Sequence, residues 1–226
     1  MKEYNLLGSY PKPTKPRFVG KNLRTIKHRI IASKRDFNFF DGNRNYGYGG
    51  FKYDGRWAPI AKKIISRYGL RDGSRVLHLG SEKGFLLHEI LKINPKINVV
   101  GLETSQYAIS KTLGTVKKKI KKIKNYCDID KIDQKFDCII ALGVIYTLTL
   151  ADAIYCIKKI QKLARGNSFI TLATYSNQED YWLFKNWTVL GSTLLKQDEW
   201  RKVLKHCKYK GDYNFTSAKK LSLKKK

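Results

Sequence analysis

Apolar residues recur along the chain with two alternating periods. Val76, Leu77 and Leu79 form a short apolar run, followed by Gly80-Ser-Glu-Lys-Gly84 and then by Phe85, Leu86, Ile90 and Leu91 at helical spacing. A second run, Asn98–Leu102, stops at the carboxylate of Glu103. The alternation continues. A helix is predicted over Tyr107–Leu113 with Thr104 or Ser105 as its cap, a buried strand over Phe136–Leu142, and an amphipathic helix over Leu150–Leu163 that Gly166 ends. Phe169–Ala173 reads as a strand, Asp198–His206 as a helix, and Tyr209–Ala218 as a last strand or hairpin. Upstream, Trp57, Ile60, Ala61, Ile64, Ile65 and Tyr68 share one helical face. Strand and helix in strict alternation predict an α/β fold with a doubly wound, mostly parallel, Rossmann-like sheet.

The flanks break this rhythm. Pro11, Pro13 and Pro16 hold the start extended, and Asn22–Ser33 can make a short basic helix with Leu23, Ile26, Ile30 and Ile31 on one side. Residues 36–57 are dense in Gly, Tyr, Phe and Asn, which suits a loop covering a ligand or burying its rings on the domain. Lys117–Lys124 reads as a short helix or a strand edge, and Trp182, Phe184 and Trp187 fall in an insertion. The expected organisation is a basic N-terminal arm over 1–43, a main domain over 44–218, and a Lys-rich tail over 219–226 whose last six residues, 221–226, are expected to be disordered.

The stretch from Ser74 to Glu103 carries the most chemistry. A sharp turn after a strand calls for a residue without Cβ, and Gly80 supplies it. Gly84 lets the following helix pack close. An acid at the tip of the second strand can accept two hydrogen bonds from a ribose diol. Strand, glycine turn, helix, strand and acid is the layout of an adenosine-cofactor site.

The run Val76-Leu77-His78-Leu79-Gly80-Ser81-Glu82-Lys83-Gly84 resembles the first motif of the class I S-adenosylmethionine-dependent methyltransferases. His78 stands where that family has an acid, and Glu82 where it has its middle glycine. Asn125-Tyr-Cys-Asp128 resembles the segment after the third strand, and Phe136–Ile145 the fourth strand. The resemblance implies S-adenosylmethionine as cofactor and methyl transfer to a small-molecule or unidentified acceptor. It implies His78, Gly80, Ser81, Glu82, Gly84, Glu103, Thr104, Asp128 and Leu142 at the cofactor, and Tyr146 or Tyr175 as candidates on the acceptor side. Tyr46, Tyr48 and Trp57 are the expected substrate contacts. The altered positions 78 and 82 leave a second reading open: a catalytically inactive scaffold of the same fold, held on RNA or a large complex by its basic surface.

Charge bears on that choice. Lys and Arg number 46 against 18 Asp and Glu, a net charge of +28. This fits RNA or another polyanion binding through the basic arm, and it fits better a lysine-rich coding bias, since lysine outnumbers arginine roughly three to one. The four cysteines are far apart with no C-x-x-C pair, so no metal or redox motif is expected and a reducing cytoplasm is the natural setting. No run of apolar residues is long enough for a transmembrane helix.

Overall fold

A computed structural model describes residues 1–20 and 22–226, apart from the side chain of residue 130. In chain order the elements are β1 (Lys2–Glu3), β2 (Arg17–Val19), α1 (Ile26–Ser33), α2 (Phe37–Phe40), α3 (Ala58–Arg67), β3 (Arg75–Leu79), α4 (Phe85–Ile93), β4 (Asn98–Glu103) and α5 (Gln106–Ser110). They continue with β5 (Ile120–Lys122), β6 (Phe136–Ala141), α6 (Leu150–Leu163), β7 (Ala164–Ala173), α7 (Gln178–Trp187), α8 (Gln197–His206), β8 (Asp212–Thr216) and β9 (Leu223–Lys225).

Seven strands form one sheet in the order β1-β8-β7-β6-β3-β4-β5, with every pairing parallel. From β3 outward, β4 and β5 run to one side and β6, β7 and β8 to the other. The winding direction therefore reverses between β3 and β6, and in open α/β sheets the crevice for a ligand lies at the carboxyl ends of the strands at that point. The doubly wound expectation holds.

Side-chain alternation builds a core on each face. Leu77 and Leu79 of β3 join Phe136, Ile139, Ile157, Ile160 and Trp200 on one side. Val76 faces the other, with Ile60 and Ile64 of α3 and Leu86, Leu87 and Ile90 of α4. A register shift between Phe136 and Cys138 allows Phe136 and Ile139 to share the first core while Cys138 and Ile140 enter the second.

One local expectation is met by the second of its two candidates, and others are revised. Ser105 caps α5, its Oγ accepting from the Ala108 amide at 3.0 Å. Gly166 does not end α6; the helix stops at Leu163 and the chain passes directly into β7, within which Gly166 lies at φ +120°. The segment Tyr209–Ala218 holds a strand, β8, that is parallel to β7 rather than part of a hairpin, and β9 follows it. Trp182, Phe184 and Trp187 belong to a regular helix, α7.

The tail is not disordered. Leu223 is buried with Val19, Phe184 and Trp187, and β9 pairs with β2 over Arg17–Val19. The reason is a partner more than two hundred residues away, invisible to local composition. The N-terminal segment is likewise woven in: β1 extends the sheet beside β8, and Leu6 is fully buried against α3. Phe39, Phe40 and Phe51 form a small core with Ala32, Ala108 and Val189.

Candidate functional site

The ends of β3 and β4 meet as their sequence demands. Gly80 has φ +73°, and a Cβ there would stand 2.4 Å from Val144 Cγ2, so any other residue would be both strained and crowded. The amides of Gly80 and Ser81 both donate to the Leu102 carbonyl, at 2.8 and 3.1 Å, locking the turn onto β4. Gly84, at φ +77°, caps α4, and an added Cβ would press on Val116 and Ile120. Glu82 has φ +50° with a side chain, a strained arrangement at the position of the family's middle glycine.

Glu103 is completely buried, and both oxygens of its carboxylate accept hydrogen bonds from its own chain. Oε1 accepts from the amides of Thr104 and Ser105, both at 2.8 Å, from the Thr104 hydroxyl at 3.2 Å, and from Arg35 Nη2 at 3.0 Å. Oε2 accepts from the Glu82 amide at 2.8 Å. Arg35, the residue just after α1 and Lys34, reaches this acid from across the fold with its guanidinium over the rings of Phe39, Phe40 and Tyr126. Lys83 Nζ donates to both oxygens of Asp41, at 2.6 and 2.8 Å, and Ser105 Oγ donates to the Arg35 carbonyl. Residues 35–41 are thus pinned over the glycine turn at three points.

His78 lies on β3 under this turn, buried, with neither ring nitrogen hydrogen-bonded. Burial drives its pKa down to about 4, against the pull of Glu103, so the ring is neutral. Burial raises Glu82 to about 7, with Glu103 adding to the rise and Arg35 and Lys83 opposing it. His78, Ser81, Glu82, Trp57, Phe51 and Lys83 surround a cavity of about 20 Å³, room for roughly one water. A wider groove of about 660 Å³ opens on the other side of Arg35, between α1, Thr104, Asn125, Tyr126 and Val189.

The remaining expected residues divide. Thr104 lines the wide groove and Trp57 the small cavity. The Asp128 carboxylate is spent on its own turn, accepting from the amides of Lys124 and Asn125 and pairing with Lys131, and it faces a separate groove with Lys121 and Lys122. Its neighbours Asn125 and Tyr126 reach the site instead. Leu142 is half-buried against the α3 side of the sheet. Tyr146 is half-buried, its ring edge-on to Phe184, and burial holds its hydroxyl well above the ordinary tyrosine range. Tyr175 packs on Tyr181 of α7, and Tyr46 on His28. Tyr48 is a clamp: its hydroxyl accepts from the amides of Val189 and Leu190 at 2.9 and 3.1 Å. Arg35 and Asp41 were not foreseen; nothing local in the sequence marks an arginine for an acid 68 residues away. Among the described residues no group of three or more His, Cys, Asp or Glu side chains is placed to hold a metal ion.

Tested against an adenosine cofactor, these residues divide. Glu103 and the Gly80 turn have the placement a ribose requires, and the groove beside Thr104 and Tyr126 has room for a purine. Glu103, however, already accepts internal donors on both oxygens, and the space beside His78 is far too small for an amino-acid chain. In this arrangement the site does not fit the whole group.

A parallel doubly wound sheet with a glycine turn and a buried acid at its switch point defines an α/β protein of the nucleotide-cofactor type. The family model described as a methyltransferase domain matches residues 70–217, well over half of the chain. The chain belongs to that family. Residues 1–69, which carry Arg35 and Asp41, lie outside the match.

Among solved structures the chain is similar to the YcgJ protein from Bacillus subtilis, with 12% identity over 65% of this chain and 66% of that one and a TM-score of 0.50. It is similar also to CalO1, a methyltransferase in calicheamicin biosynthesis in its SAH-bound form, with 11% identity over 83% and 63% and a TM-score of 0.47. A third is CalS10 from Micromonospora echinaspora, a SAM-bound amino pentose methyltransferase, with 19% identity over 48% and 46% and a TM-score of 0.40. The chain spans about half the length of CalS10. At such identities the likeness is one of fold. No curated protein sequence matches. No described helix is long and apolar enough to cross a membrane.

Proposed function

We propose that the chain is an S-adenosylmethionine-dependent methyltransferase whose cofactor site is held shut by its own N-terminal segment. The observation that carries this reading is Glu103, buried at the tip of β4 beside the glycine turn and paired with Arg35. When bound, the cofactor supplies an electrophilic methyl group. With Arg35 displaced, Glu103 would hold the ribose hydroxyls and the Gly80 turn would keep the backbone close, beside the rings of Phe39, Phe40 and Tyr126. The acceptor is unidentified, and no general base is assigned.

Calorimetric titration with S-adenosylmethionine and its demethylated product tests this. The expected result is binding that Arg35→Ala strengthens and Glu103→Ala abolishes. Absence of binding to both the native chain and Arg35→Ala at millimolar ligand would sink the reading. The second reading, a scaffold without catalysis that binds a polyanion, is supported by Glu82 in a strained left-handed conformation and by the neutral, unpartnered His78. The same null titration would favour it.

A further inference from the structure

Arginine is scarce overall, but five of the chain's arginines lie between residues 17 and 44. Three of them converge at one place. The Arg17 guanidinium stands 5.7 Å from the centre of the Trp187 ring, and that of Arg24 stands 5.1 Å from the same ring and 5.3 Å from that of Tyr48. Arg24 Nη2 donates to the carbonyls of Arg44 and Gly47 at 3.1 and 2.9 Å, and Arg44 Nη1 donates to the Tyr48 carbonyl. The cluster is closed below by aromatic rings and open at Arg44, which is exposed.

Three like charges drawn together need compensation. Among the described residues no carboxylate forms an ion pair with Arg17, Arg24 or Arg44. Burial, and after it Arg44 and Arg17, bring Arg24 down to about 10, and burial and Arg44 lower Arg17 as well. Contact with a ring face offsets about 0.5–1 kcal/mol per cation at exposed sites and about 2 kcal/mol or more when desolvated, but it supplies no negative charge to balance three cations. Most telling, Arg24 Nη1 is buried and has no hydrogen-bond partner. A buried donor without an acceptor is rare in folded proteins and points to a group that completes the site.

We infer that Arg17, Arg24 and Arg44 form a binding site for a phosphoryl group, seated against Trp187 and Tyr48. Planar guanidinium forks match phosphoryl oxygens, and several of them in one place suit a ligand carrying about two negative charges. The lysines at 117–124 differ in kind: Lys117, Lys118 and Lys119 are exposed on a 3-10 turn, and Lys121 and Lys122 are exposed on the edge strand β5, where lysine discourages pairing with other chains. The site is separate from Glu103, so it stands whether or not that acid binds a cofactor.

The test is titration of the full chain with inorganic pyrophosphate and with a short 5′-phosphorylated oligonucleotide, followed by tryptophan fluorescence and by the thermal unfolding midpoint. Saturable binding that raises the midpoint is expected, weakened about tenfold or more in Arg17→Gln/Arg44→Gln and unchanged in Lys117→Gln/Lys118→Gln/Lys121→Gln. Equal affinity for the two probes assigns a small phosphorylated molecule. Much tighter oligonucleotide binding that falls steeply with salt assigns a polynucleotide. No saturable binding of either probe at millimolar concentration, or the same loss in the lysine variant, overturns the site. The midpoint shift of the unmutated chain keeps the test valid if the arginine variant folds poorly.

Discussion

Arg35 donates to Glu103 across 68 residues of sequence, at 3.0 Å, and so occupies one oxygen of the acid at the tip of β4. The ion pair is enclosed by Phe39, Phe40 and Tyr126, so it is strong only while both partners stay. Removal of Arg35 leaves a buried carboxylate still served by the amides of Glu82, Thr104 and Ser105. Arg35→Ala is therefore expected to lower stability by about 3 kcal/mol, the low end for breaking a buried pair. Chemical denaturation gives that number. The same variant should bind S-adenosylmethionine at least about tenfold more tightly than the native chain, since the competing cation is gone.

The glycine turn makes a sharper comparison. Gly80 and Gly73 both sit at positive φ, +73° and +81°. A Cβ at Gly73 meets open space, whereas one at Gly80 meets Val144 at 2.4 Å. Gly73→Ala should cost about 1 kcal/mol, from the backbone alone. Gly80→Ala should cost that and about 1–3 kcal/mol more for the overpacking. Equal losses in urea unfolding would mean that Val144 yields freely and the turn is looser than its geometry implies.

The fold was legible because its signals are local. Val76, Leu77 and Leu79 followed by Gly80 state a strand and a turn within a few residues, and Glu103 follows at the spacing of a second strand. What escaped was made by distant partners. Arg35 reads as one more cation in a basic arm, and its φ of +48° has no signature in its neighbours. Asp128 reads as a polar group for the adenine side, but the 3-10 turn over Tyr126–Lys131 uses it as its own cap and leaves Asn125 and Tyr126 to face the groove. Lys-rich composition at the end concealed β9, whose partner strand is near the start of the chain.

That last contact has a measurable worth. Leu223 is buried among Val19, Phe184 and Trp187, while Lys224 on the same strand is exposed. Leu223→Ala should destabilise the chain by about 2 kcal/mol, and Lys224→Ala by less than about 0.5 kcal/mol. A tail that contributes nothing to the folded state would make both substitutions silent in thermal unfolding.

His78 and Glu82 share the small cavity under the turn and pull stability in opposite directions as pH changes. His78 has its pKa lowered by burial from 6.5 to about 4, so between those values the unfolded chain holds more protons and stability rises with pH. Glu82 has its pKa raised by burial from 4.5 to about 7, so over that window the folded chain holds more protons and stability falls as pH rises. From about pH 4.5 to 6.5 the two contributions oppose, and the native chain should show a nearly flat dependence from this pair. Each substitution should uncover the other group. His78→Leu leaves Glu82 alone, so stability should decline from about pH 4.5 and level off near pH 7. Glu82→Gln leaves His78 alone, so stability should climb from about pH 4 and level off near pH 6.5. Denaturant titrations at half-unit pH steps read both profiles, and a Glu82→Gln curve parallel to the native one would show that the Glu82 carboxyl is not buried beside His78.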